Sequence, residues 1–154
     1  MQVAQYELKK IIRSLPETAE FNIVLFSHNQ IPLFDKPRKA TKIHQDKAVA
    51  FIDGIKAGVA TNIYGALMQG IEMGTGQGVW AKVRPDSLDT LYLISDGEAT
   101  GAGGMTREDI RDRIARNNRF RKVAIHCVGI EPPVHGEQLL KALAEQSGGT
   151  YVKR

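Results

Sequence analysis

The sequence predicts an α/β domain: a Rossmann-like, mainly parallel sheet with helices on both faces. Three observations point there. Apolar runs alternate with segments whose apolar residues recur every three or four positions. Two of those runs, Thr90–Ser95 (TLYLIS) and Val123–Ile130 (VAIHCVGI), are apolar on both faces, as strands buried in a parallel sheet are. The segments between them have the length of crossover helices, which implies βαβ units. At 154 residues the chain fits one domain, residues 1–154, with a single core.

The elements follow in order. Ala4, Leu8, Ile11, Ile12 and Leu15 keep helical spacing, and Pro16 stops that helix because it lacks the N–H a helix needs. Phe21–Ser27 (FNIVLFS) reads as a strand, with Ile31–Phe34 returning from it as an edge hairpin through Ser27-His28-Asn29-Gln30. Ala48, Phe51, Ile52 and Ile55 mark a second helix ended by Gly58. Ile63, Leu67 and Ile71 make a third, with Gly74 as its C-terminal cap. Gly74–Pro85 is rich in glycine and reads as a surface loop. Thr106 opens a fourth helix with Asp109 three residues on, close to a capping box, and Ile110 and Ile114 face inward. Leu139, Leu140, Leu143 and Ala144 form the last, which ends at Ser147-Gly148-Gly149 before a terminal strand at Thr150–Lys153.

Composition removes several classes. With 42% hydrophobic and 25% charged residues, disordered, collagenous and coiled-coil readings fail. No apolar run approaches the roughly 20 residues of a membrane span, and Met1 leads directly into polar Gln2 and Gln5. The expectation is a soluble chain with no signal peptide or anchor, cytoplasmic by default. The single cysteine, Cys127, makes no internal disulfide and reads as a buried thiol.

The segment richest in chemistry is Leu91-Tyr92-Leu93-Ile94-Ser95-Asp96-Gly97-Glu98. Ligands of open α/β sheets bind beyond the C-terminal ends of the strands, where Asp96 falls. A carboxylate there can hold a hard cation such as Mg²⁺, act as a base, or cap the next turn. In Gly58–Leu67 (GVATNIYGAL), Thr61 or Asn62 would cap the third helix, and a threonine hydroxyl is also an acceptable Mg²⁺ ligand. Gly74-Thr75-Gly76-Gln77-Gly78 follows a helix instead of joining strand to helix, so a phosphate loop is disfavoured. His126, alternating with apolar residues, reads as a satisfied core histidine. Asp96 has no paired nucleophile, second acid or cofactor loop, so catalysis with Asp96 as base is disfavoured and no enzyme is expected.

The succession FNIVLFS, GVATNIYGAL, TLYLISDGEATG, VAIHCVGI and LLKALAEQSGGTYV resembles the von Willebrand factor A family over nearly the whole chain. That resemblance implies a Rossmann-like sheet with a metal-ion-dependent adhesion site at its C-terminal edge. The family's threonine ligand maps onto Thr61 and its aspartate onto Asp96, with Mg²⁺ or Mn²⁺ as the ion. Glu98 would stand one layer out from the metal, or be a solvated loop acid. A protein ligand presenting an acidic residue would complete the shell. The family's D-x-S-x-S motif is absent from this sequence. By the family's order it precedes the first helix, so the N-terminal strand is expected to be missing and the metal site incomplete. A metal-independent module that completes its sheet with another chain, as a homo-oligomer, is the alternative.

The chain carries 21 Lys and Arg against 17 Asp and Glu, a formal +4, with a pI near 9.3. Residues 107–122 hold an excess of +4 by themselves. Arg107, Arg111, Arg113 and Arg116 fall largely off the Ile110/Ile114 face. They form either a solvated outer face or a basic docking face for an acidic protein surface. Nucleic acid is the minor option, since only Phe120 interleaves and no nucleic-acid motif accompanies it.

Overall fold

The computed structural model describes residues 2–55, 62–73, 88–100 and 103–154. In chain order the elements are α1 (Gln2–Ser14), β1 (Glu20–Phe21), β2 (Val24–Phe26), β3 (Gln30–Pro32), β4 (Arg38–Lys39), α2 (Lys42–Asp53), α3 (Ile63–Met73), β5 (Thr90–Ser95), α4 (Arg107–Asn118), β6 (Ala124–Gly129), α5 (Val134–Ser147) and β7 (Tyr151–Lys153). Gly58 and the Gly74–Pro85 segment, assigned above to a helix end, a cap and a loop, lie outside the described residues.

The predicted parallel sheet is present as β5-β6-β7. β5 and β6 run parallel from Thr90 opposite Ala124 to Ser95 opposite Gly129, and β7 joins with Cys127 opposite Tyr151. One face of this sheet carries Leu91, Leu93, Ile125 and Cys127 against α3, α4 and α5, where Leu67, Ile110, Ile114, Leu140 and Leu143 are essentially inaccessible. Burying each such Leu or Ile contributes about 1.5–3 kcal/mol, so this core accounts for much of the fold. The opposite face departs from the expectation of burial on both sides. Tyr92 is 48% exposed, and its ring stacks on His126 with centroids 5.1 Å apart. His126 is satisfied, since its Nδ1 accepts from the Thr150 backbone N–H (3.2 Å) and lies 2.8 Å from the Thr150 hydroxyl, but it is half-buried and not in the core.

The predicted strand at Phe21–Ser27 is broken into β1 and β2. Asn22 causes the break: its side chain donates to the Phe34 carbonyl (2.7 Å) and accepts from the Phe34 N–H (3.0 Å), substituting for ladder bonds. The hairpin forms as expected, with β2 antiparallel to β3 and Leu25 opposite Ile31, while β1 pairs with β4. These two pairs stand apart from the parallel sheet and enclose their own core with α1 and α2, built from Ile12, Phe21, Ile23, Ala48 and Ile52.

The second helix ends earlier than its spacing predicts: α2 stops at Asp53 with Gly54 as its cap, so Ile55 lies beyond it and Gly58 does not end it, because Gly54 already turns its N–H back onto the Ala50 carbonyl. Two other helix ends follow their sequence signals. α4 carries a full capping box: Thr106 Oγ1 accepts from the Asp109 N–H (3.1 Å), and the Thr106 N–H donates to Asp109 Oδ2 (3.0 Å). The Thr106 N–H and then the Thr106 hydroxyl (2.8 Å), both donating to Asp109 Oδ2, hold the Asp109 carboxyl below the ordinary carboxylate range. α5 ends at Gly148 with φ +75°, a left-handed cap that glycine adopts without strain.

Candidate functional site

Asp96 leaves the C-terminal end of β5 with its side chain exposed, and its surroundings fix it from several sides. Its Oδ1 accepts from the Glu98 N–H (3.0 Å) and lies 3.4 Å from the Ser95 hydroxyl. Buried Ser95 in turn accepts from the Gly97 N–H (3.1 Å), and its carbonyl takes the Ile130 N–H (3.0 Å), tying the end of β5 to the end of β6. Gly97 has φ +80° and sits against Gly136 in the first turn of α5. A Cβ at Gly97 would run into the Gly136 carbonyl, and one at Gly136 into the Asp96 carbonyl. Only glycine suits either place, and this close approach seats the Asp96–Glu98 turn on α5. Asp96 Oδ2 has no partner among the described residues, so one carboxylate oxygen faces solvent from a fixed backbone.

α3 reaches the same edge. It packs antiparallel to β5, with Gly70, near its C-terminal end, against Leu91, near the start of the strand. Its N-terminus therefore lies toward the strands' C-terminal ends. The cap is Asn62, whose Oδ1 accepts from the Gly65 N–H (2.9 Å), while the Asn62 N–H donates to the Ser27 carbonyl beyond β2 (3.0 Å). The capping role that the sequence left open between Thr61 and Asn62 thus falls to Asn62. Thr61 itself lies outside the described residues.

Glu98 is half-buried and lines a shallow depression of about 350 Å³ with Thr100, Met105 and Arg107. Arg107 accordingly belongs to this edge, beside Glu98. Among the described residues no group of three or more His, Cys, Asp and Glu side chains is placed to hold a metal. At the end of β5, Asp96 supplies an exposed carboxylate, a hard oxygen donor of the kind Mg²⁺ takes alongside water.

The basic face is not uniform. Arg111 pairs with Asp112 (2.9 Å), Asp109 is engaged in the capping box, and Glu108 flanks them, so the first part of α4 is close to neutral. The excess falls on Arg116, Arg119, Arg121 and Lys122, a stretch with no acidic residue.

A family model for the von Willebrand factor type A domain matches residues 2–153. The chain belongs to the von Willebrand factor type A family. It is 30% identical over 142 residues to inter-alpha-trypsin inhibitor heavy chain H2 of Mus musculus and 27% identical to that of Mesocricetus auratus. In both cases 92% of this chain is matched, and the chain spans 15% of the relative's length. Among solved structures, a von Willebrand factor type A protein from Catenulispora acidiphila superposes with a TM-score of 0.77 at 18% identity, covering 99% of this chain and 34% of that one. BatB from Bacteroides thetaiotaomicron gives 0.68 at 14% identity, covering 99% and 78%. These likenesses carry the fold. A von Willebrand factor A domain is generally a protein-interaction module, and that general role extends to this chain. No helix among the described residues is long and apolar enough to cross a membrane.

The sequence singled out Asp96 and Glu98 but not what holds them. Ser95 is hidden in an apolar run, and Gly136 lies forty residues downstream of Asp96, with no local pattern linking the two. The Asp-Gly step at 96–97 was the available signal, since glycine after a strand-ending acid often marks a turn with positive φ.

Proposed function

We propose that this domain recognises a protein ligand at the C-terminal edge of its sheet, through a Mg²⁺ or Mn²⁺ ion held by Asp96 with Thr61 and completed by a carboxylate of the partner. What supports this reading is the Asp96 carboxylate itself: exposed, anchored through Oδ1 by the Glu98 N–H, and seated on α5 by the Gly97–Gly136 contact. A fixed oxygen loses little freedom when it takes up an ion, and orientation is the protein's contribution to such a site. Glu98, half-buried in the neighbouring depression, would stand one layer out from the ion. The reading is of a binding module, without turnover.

Titration of the full chain with Mn²⁺, followed by water-proton relaxation, tests it. Saturable enhancement that is lost in Asp96→Ala and in Thr61→Ala, with circular dichroism unchanged, is the expected result. Equal enhancement in wild type and Asp96→Ala would remove the metal from the account.

A second reading rests on a different observation. β5 bonds only to β6 among the described strands, and β2-β3 forms a separate pair, so the outer edge of β5 presents backbone groups to any incoming strand. On this reading the domain is a metal-independent module that completes its sheet with another chain. Light scattering across a dilution series separates the two: a concentration-dependent dimer indifferent to EDTA favours strand completion, and a monomer at every concentration counts against it.

A further inference from the structure

We propose that the turn after α4 is a second docking surface, at the opposite edge of the sheet from Asp96, for an acidic segment of a partner protein. Phe120 is its anchor, with Arg116, Arg119, Arg121 and Lys122 around it. Phe120 is 82% exposed, the most exposed of the chain's described large apolar side chains, and Arg119 lies over its ring at 5.5 Å from the centroid. The turn joins α4 to the start of β6, so it lies about 20 Å, the length of β5 at roughly 3.3 Å per residue, from the Asp96 edge.

Cations near a helix C-terminus offset the helix dipole, which accounts for Arg116 and Arg119 without a ligand. It does not account for Phe120, whose exposure contributes nothing to folding. Nor does it account for how firmly the turn is held. Buried Asn118 donates to the Val123 carbonyl (2.7 Å) and accepts from the Val123 N–H (2.9 Å). The Asn118 carbonyl also takes the N–H groups of Arg121 (3.1 Å) and Lys122 (2.8 Å). Lys122 adopts φ +54°, a conformation usually left to glycine. The clamp thus fixes the backbone that carries the aromatic ring and its flanking cations, which lowers the ordering cost of binding.

Aromatic and arginine residues together are the typical carriers of protein–protein binding energy, and four cations with no acid among them select a negative partner. Single-stranded nucleic acid would use successive stacking rings, and a membrane surface a broader apolar face. One ring among cations suits neither.

The test is fluorescence anisotropy of the full chain in EDTA, which removes any divalent ion from the Asp96 edge, with a labelled glutamate/leucine peptide at low salt, in parallel with a poly-dT oligonucleotide and phosphatidylserine vesicles. The peptide is expected to bind and to weaken with added salt. Phe120→Ala should cost about tenfold in affinity, and Lys122→Glu more. Arg113→Glu, on the charge-compensated part of α4, and Asp96→Ala, at the far edge, should leave it within about twofold. Absence of peptide binding, an unchanged Phe120→Ala, an Arg113→Glu loss equal to that of Lys122→Glu, or tighter binding to the oligonucleotide or vesicles would each overturn the proposal. Because Asp96→Ala is silent here, failure at this edge leaves the metal reading intact, and the reverse also holds.

Discussion

The two halves of the chain reach their packing by different routes. In the C-terminal half, six-residue parallel strands β5 and β6 lie under α3, α4 and α5, and their buried residues form one cluster that includes Ile63, Leu93, Ile125 and Ala144. In the N-terminal half, strands of two or three residues pair only with each other, and Ile12, Phe21 and Ile52 are gathered mainly by the contact of α1 with α2. The C-terminal half is a platform, with Asp96 at one edge and Phe120 at the other. The N-terminal half has, among the described residues, only two-stranded pairs of two or three residues, and it is expected to open at lower free energy.

The largest effect that would sharpen this contrast is in the platform. Leu140→Ala, at a fully buried position, is expected to cost about 2–5 kcal/mol and to lower the denaturation midpoint of the whole domain. Ile12→Ala should act locally, speeding amide exchange in α1 and α2 before that in β5 and β6. Equal, global acceleration by both variants would erase the distinction between the halves.

Next in size is Gly97→Ala. Its φ of +80° and the contact with Gly136 predict a loss of about 1–3 kcal/mol and a displaced Asp96 turn, read as chemical-shift changes at Glu98 and Gly136. A wild-type spectrum and midpoint would show that the turn is not constrained in this way. Smaller again, Thr106→Ala removes the capping box of α4 and should cost about 1 kcal/mol by urea denaturation.

The smallest effect is a pH dependence. Glu137 accepts from Lys153 (2.6 Å) and pairs with Lys141 (2.9 Å). The Lys153 hydrogen bond comes first, then that of Lys141, in holding its carboxyl below the ordinary range. A group whose folded pKa is depressed contributes above its unfolded pKa and loses that contribution as pH falls through the folded value. Wild type should therefore exceed Glu137→Gln in melting temperature at neutral pH, with the gap closing below the ordinary carboxylate range. A gap constant down to the acid limit would contradict the ion-pair account.

What was legible in the sequence divides along the same line. β5 and β6 were read correctly because their runs are long and apolar, and α4 because Thr106 and Asp109 form a local signal. β1 and β2 were merged because the break depends on Asn22 bonding to Phe34, a contact twelve residues away that leaves no mark on periodicity. The burial of both sheet faces was overread, since Tyr92 looks apolar in sequence yet lies half in solvent. At the site, Asp96 was placed by its position after a strand. Ser95 and Gly136, which hold it, act through tertiary contact and were invisible. The net excess of residues 107–122 was legible, and its concentration at residues 116–122 follows from where Glu108, Asp109 and Asp112 fall in the sequence.

The most direct test of the central claim, that the Asp96 edge binds a divalent cation, is a Mg²⁺ titration of the ¹⁵N-labelled full chain by NMR. The amides of Gly97 and Glu98 should shift and saturate, while those of Phe120 and Arg121 stay still, and Asp96→Ala should abolish the response. Amides at 96–98 that do not move, or that move equally in Asp96→Ala, would contradict it.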